Sequence, residues 1–112
     1  MSKRTEREFV LDIQEAIVRI LAYAENMDYN QFSHDIKTQD AIIRNIEIIG
    51  EAVKNLSNNF TEQNPEIPWR NMAGIRDVLI HDYFGVNIDI VWDVVSSELP
   101  KLKEQIEFIL SD

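Results

Sequence analysis

Apolar residues recur at spacings of three and four through most of this chain, and that period limits what it can fold into. Near the C-terminus, Ile88, Val91, Val95, Leu99, Leu102, Ile106 and Ile109 follow it almost without error. Phe9, Ile13, Ala16, Ile17, Ile20 and Ala24 repeat it near the N-terminus, and Ile42, Ile46, Ile49, Val53 and Leu56 repeat it between them. This spacing lays an apolar stripe along one face of a helix, whereas a strand requires alternation by two. Three glycines and three prolines give little punctuation, and no internal repeat is present. The pattern predicts an all-α domain spanning residues 1–112, an antiparallel bundle of four main helices.

The first helix is expected from about Thr5 to about Met27. "DYNQFSHD" then breaks the period with turn-prone polar residues. A short extra helix can form there, with Phe32 entering the core. The second helix is expected from about Thr38 to Ser57, capped by Thr38 or Asp40. Gly50 falls inside it, where glycine costs roughly 1 kcal/mol relative to alanine, and its missing side chain permits a close approach by another helix. "SNNFTEQNPEIP" reads as a loop. The third helix is expected from about Trp69 to His81 or Phe84, with Gly85 as its stop. The last starts near Asn87 or Asp89 and is expected to kink or break near Pro100.

Composition narrows the functional classes. There is no cysteine, which removes disulfides and thiolate metal sites. Apolar residues make up 45% of the 112 residues, enough for a globular core. No apolar run is long enough to span a bilayer. "MSKRTEREF" is charged and leads directly into an amphipathic pattern, unlike a signal peptide. The expectation is a soluble, cytoplasmic protein with no membrane partner. The formal net charge of −9 argues against a broad electrostatic grip on nucleic acid and suits a basic protein partner. Any action on nucleic acid must therefore come from a local site.

"RDVLIHDYF", residues 76–84, is where such a site would lie. At 100° per residue, Trp69, Met72, Ala73, Ile80 and Tyr83 share one stripe, and Arg76 falls within it. A charge at such a position must be paired or kept wet. His81 is five residues further and points about 140° away on an ideal helix. Asp77 precedes His81 by four and shares its face. Arg76 and His81 can therefore meet only if the helix ends near His81 or a second chain completes the site. Histidine titrates near neutrality, and arginine offers a fixed fork to phosphate oxygens. Together they suit metal-free cleavage of RNA, with the ribose 2′-OH as nucleophile and a 2′,3′-cyclic phosphate as product. On spacing alone, Arg-x4-His occurs in many helices. Asp77 and His81 would equally serve as a surface pair at i,i+4, and Arg76 as a bridge to Glu47 or Glu51.

The segment "RDVLIHDY" resembles the Arg-x4-His-x-Tyr motif of the HepT-like toxins, in the HEPN superfamily of RNases. "RNIEIIGEAVKNLS" at 44–57, "IPWRNMAGIRDVLIHDYFGVNIDIVWDVV" at 67–95 and "LPKL" at 99–102 are similar to that family in order and spacing. The resemblance covers nearly the whole chain. It implies a HEPN-type bundle that forms a homodimer, with Arg76 and His81 lining a cleft at the interface. It also implies metal-independent RNA cleavage in a type VII toxin–antitoxin system. The partner it implies is a minimal nucleotidyltransferase antitoxin, which transfers AMP onto the motif tyrosine, here Tyr83. Where the family pattern commonly has asparagine after the arginine, this chain has Asp77. An acid there repels phosphate, but it can also orient His81 and raise its pKa.

Arg44, Glu47 and Glu51 fall together on the helix face opposite the core stripe, either as a solvated surface or as a lining of the dimer cleft. His34 reads as an exposed loop residue, and Trp69 and Trp92 as core. No resident cofactor is expected. Neither is a metal, because the two histidines are far apart and the acids lack ligand spacing. Two functions remain in view. One is an RNase toxin with Arg76 and His81 catalytic, Asp77 supporting and Tyr83 the control point. The other is a catalytically weak or inactive HEPN module that binds a nucleotidyltransferase.

Overall fold

The computed structural model describes residues 4–81 and 87–111, with side chains described outside 76–81. The described residues are mostly helical and contain no strand. In chain order they form α1 (Glu6–Tyr23), α2 (Tyr29–Ser33), α3 (Ile36–Lys54), α4 (Asn58–Gln63), α5 (Trp69–His81), α6 (Ile88–Asp93), a π-helical turn (Val94–Glu98) and α7 (Leu99–Leu110). α1, α3, α5 and the α6–α7 rod are the four main members of an antiparallel bundle. α3 packs on both α1 and α5, and α1 packs on α7.

The apolar stripes form the core. Ile13, Ile17, Ile20, Ile42 and Ile106 are each 0% exposed. Val10 is buried where Phe9 was expected, and Phe9 and Ala24 lie at the core margin. Ile42, Ile46, Ile49, Val53 and Leu56 are all buried. Gly50 is also buried. It sits two residues, and so about 160°, around α3 from Ala52, which lines a recess beside α1. That places Gly50 on the flank of α3 turned toward α5.

The caps explain where the elements begin and end. Thr5 accepts the Glu8 amide at the start of α1. The first helix stops at Tyr23, short of the expected Met27. Asn26 then reverses the chain at φ 63°, a left-handed conformation asparagine tolerates better than most residues. Asp28 and Gln31 form a reciprocal capping box on α2, so the short extra helix is present. It carries Phe32 into the core at 0% exposure. α3 starts earlier than Thr38 or Asp40 would allow, because Asp35 is its cap. The Asp35 carboxylate accepts the Thr38 amide at 3.0 Å and the Thr38 hydroxyl at 2.8 Å.

Two further elements departed from sequence expectation in form. The stretch read as a loop contains α4, capped by Ser57, whose hydroxyl accepts the Phe60 amide at 3.1 Å. Phe60 packs on Trp69 at 6.0 Å between ring centroids. The interruption near Pro100 is a π-helical turn. The Leu99 amide reaches back to the Val94 carbonyl, and Pro100, which has no amide hydrogen to donate, falls in the first turn of α7, where none is required. α2 and α6 are joined at Trp92, whose ring lies 5.1 Å from Phe32 and 6.4 Å from Tyr29. The Tyr29 hydroxyl donates to Asp89. That bond, and then burial, raises the Tyr29 phenol above its ordinary pKa.

Phe32→Ala is expected to lower stability by roughly 3–5 kcal/mol, since it empties a fully buried aromatic site. Urea unfolding measures this, and a loss below about 1 kcal/mol would mean that α2 is not anchored as described. The Asp35 carboxyl is held below its ordinary 3.8 by the Thr38 backbone bond first and the Thr38 hydroxyl second. Its contribution to stability is therefore present above 3.8 and is lost as pH falls through the depressed value. In an NMR titration, Thr38→Val should move the Asp35 midpoint up toward the ordinary value without reaching it, because the backbone bond remains.

Candidate functional site

α5 begins directly after Pro68, whose carbonyl accepts the Met72 amide at 3.1 Å. Trp69 and Met72 hold its first turn in the core, each 7% exposed, and the Trp69 indole donates to the Asn64 carbonyl at 3.0 Å. From this anchored start the helix carries Arg76, Asp77 and His81 on one continuous backbone packed on α3. The side chains of these three residues, and Tyr83 altogether, lie outside the described residues.

The second group of candidates is described fully. Arg44 is exposed, with 71% of its side chain accessible, and it pairs with Glu47 at 3.7 Å. Arg44, Glu47 and Glu51 do more than face solvent. They line one side of a recess of about 450 Å³, whose other side is formed by Arg4, Phe9 and Asp12 of the N-terminal segment and α1. Arg4 pairs with Asp12 at 2.7 Å and with Glu8 at 3.4 Å. Its guanidinium lies 5.0 Å from the centre of the Phe9 ring. The Asp12 hydrogen bond is the main cause of a raised Arg4 pKa.

Periodicity did not bring out Arg4 and Asp12. They are eight residues apart, and Arg4 precedes the helix. The available signal was their charge complementarity on one side of the first helix. The recess carries three carboxylates (Asp12, Glu47, Glu51) and two guanidinium groups (Arg4, Arg44). It is a mixed-charge surface, suited to a polar protein contact more than to capturing a polyanion.

A second recess, of about 300 Å³, opens beside the π-helical turn and is lined by Met72, Ile75, Val94, Leu99 and Leu102 among others. His34 is exposed and bonds locally, its Nδ1 lying 2.8 Å from the Asn30 carbonyl. Trp69 is buried and Trp92 is half-buried. Among the described residues, no group of three or more His, Asp or Glu side chains is arranged to hold a metal. No described helix is long and apolar enough to cross a membrane.

The family model for HepT-like ribonucleases matches residues 13–109, which includes the whole of α3 and α5. The chain belongs to the HepT-like ribonuclease family. Among its HepT-like relatives is a candidate RNase of Methanocaldococcus jannaschii, 45% identical over 112 residues, covering 100% of this chain and 93% of that protein. A protein of Thermococcus cleftensis named probable ribonuclease HepT is 47% identical over 105 residues, covering 94% of this chain and 96% of that protein. The mRNA nuclease HepT of Shewanella oneidensis is 27% identical over 109 residues, covering 76% and 82%. Among solved structures, the bundle matches a tri-AMPylated Shewanella oneidensis HEPN toxin in complex with an MNT antitoxin. The TM-score is 0.72 and the identity 24%, over 99% of this chain and 100% of that one. The likeness establishes a HEPN-type fold for this HepT-like chain.

Proposed function

We propose that this chain is a metal-independent endoribonuclease toxin, acting in the cytoplasm, in which Arg76 and His81 carry out the cleavage. Membership of a ribonuclease family is the observation that carries the reading. The chemistry of the residues on α5 supplies the mechanism. His81 takes the proton of a ribose 2′-OH, and the 2′-oxygen attacks the adjacent phosphorus. The bond from phosphorus to the 5′-oxygen breaks. That oxygen leaves and takes a proton from surrounding water, and a 2′,3′-cyclic phosphate remains. Arg76 balances the negative charge that builds on the phosphoryl oxygens. General acid–base catalysis of this kind contributes typically 10²–10⁴-fold.

The two residues diverge by about 140° on an ideal helix, and of the two ways in which they can meet, the reading takes the homodimer, in which each catalytic pair draws on two chains. Asp77, one helical turn before His81, orients the imidazole and favours its charged form. The same acid, in a chain of net charge −9, favours the second reading, a binding module without cleavage. The experiment is RNA cleavage in EDTA. Wild type should remain active, and Arg76→Ala and His81→Ala should each lose roughly 10²-fold or more with helical content unchanged. Loss of activity on chelation, or full activity in His81→Ala, would sink the mechanism. An inactive wild type that still binds its partner would favour the module.

The proposed control point is Tyr83, two residues beyond His81, modified with AMP by a minimal nucleotidyltransferase antitoxin. The support is the likeness in fold to an AMPylated HEPN toxin in complex with an MNT antitoxin. Each AMP would add a bulky anion beside Arg76 and His81, compete for the arginine and repel the RNA backbone. Intact-mass spectrometry after incubation with the neighbouring nucleotidyltransferase and ATP should show whole AMP additions that Tyr83→Phe lacks. Modification that persists in Tyr83→Phe would move the control point elsewhere.

A further inference from the structure

The recess beside the π-helical turn runs between α5 and the start of α7. Its lining is mostly apolar: Met72 and Ile75 come from α5, Val94 from the turn, and Leu99 and Leu102 from α7. It adjoins another hollow of about 340 Å³, formed by Glu66, Glu104, Gln105 and Phe108. The two share Glu66 and Gln105. Between them the Gln105 side-chain amide donates to the Glu66 carbonyl at 3.0 Å and ties the segment before α5 to α7. The joined groove follows α7 from Glu98 to Phe108, about 15 Å at a rise of about 1.5 Å per residue. Phe108 stands at its end and is 76% exposed. None of the residues that line it belongs to α1 or α3.

An apolar hollow bordered by charge, with a large aromatic ring left in water, marks a contact surface. π-helical turns within helices recur at functional sites. The border here is acidic. Glu66, Glu98 and Glu104 are exposed and, among the described residues, have no ion-pair partner. Lys101 is the one cation among the described lining residues. A phosphate backbone would meet three carboxylates, so RNA does not fit this groove, whereas a basic protein segment does. The groove lies between two helices, a shape that receives a third. With no strand among the described residues, there is no sheet edge for an extended peptide to join.

We propose that this groove binds a basic amphipathic helix of a partner protein. The apolar stripe of that helix lies on Met72, Val94 and Leu102, and its lysines or arginines face Glu66, Glu98 and Glu104. Anchors at i, i+3, i+4 and i+7 span roughly 10 Å, which fits within the groove. The Phe108 ring covers one end of the bound helix. The surface uses neither Arg76 nor His81, so it stands apart from the cleavage reading.

Fluorescence anisotropy with a labelled peptide tests it. The probe is a helical peptide of about sixteen residues, with leucine at i, i+3, i+4 and i+7 and lysine on both flanks of that stripe. Wild type should bind it. Phe108→Ala removes an exposed anchor, and Glu66→Lys with Glu98→Lys reverses the border. Each variant should weaken binding roughly tenfold or more while the far-ultraviolet circular dichroism is unchanged. Three results would overturn the proposal: wild type that does not bind, binding that neither variant weakens, or equal binding of a peptide with glutamate in place of lysine. A scrambled peptide of the same composition, without the stripe, should bind at least tenfold more weakly. Equal binding of it would reduce the effect to general attraction by an acidic chain and also overturn the proposal. Sedimentation of the proteins alone should be the same for wild type and both variants. A shift in association state would assign the groove to a second copy of this chain instead.

Discussion

α3 is buried along two flanks, against α1 on one side and α5 on the other, and the position of the site depends on that burial. Its apolar row, Ile42, Ile46, Ile49 and Val53, meets the core at no more than 7% exposure. Each such side chain contributes roughly 1.5–3 kcal/mol when fully buried. Ion pairs on the outer side, such as Arg44–Glu47 and Arg19–Glu15, are solvent-exposed and contribute far less. The direction of α5, and hence of the backbone that carries Arg76 and His81, is therefore set by apolar packing. The exposed ion pairs contribute little to setting it.

That division bears on an apparent conflict between an acidic protein and the RNA substrate proposed for it. A net charge of −9 cannot gather RNA over a wide surface. The proposed catalysis by a local arginine and histidine does not require it to. The mixed charges around Arg4, Asp12, Arg44 and Glu47 are suited to recognising a polar surface, apart from the proposed phosphate-directed site on α5.

Most of the bundle was legible because long amphipathic helices announce themselves by their period. The stripes at 42–56 and 88–109 occupy the core almost residue for residue. α4 was not legible: six residues are too few for a period to show, and its signal was only Ser57 three positions before Phe60. The start of α3 was displaced because Thr38 looks like a cap when it is in fact the residue being bonded by Asp35. Pro100 foretold an interruption, but not that a π-helical turn would absorb it. At the candidate site, the Arg44–Glu47–Glu51 row could be read from spacing, while Arg76, His81 and Tyr83 were singled out by the family resemblance. The buried Asn45 Oδ1, without a hydrogen-bond partner among the described residues, could not, because whether an asparagine is satisfied depends on tertiary neighbours that spacing does not record.

The account's central claim is that Arg76 and His81 of one catalytic pair come from different chains. Mixing Arg76→Ala with His81→Ala, under conditions that allow subunits to exchange, tests it most directly by following RNA cleavage. A heterodimer would then hold one pair with both residues intact, and the mixture should regain activity that neither variant has alone. If every pair lies within a single chain, each site in the mixture lacks one residue. A mixture that exchanges subunits yet stays as inactive as its components would contradict the account.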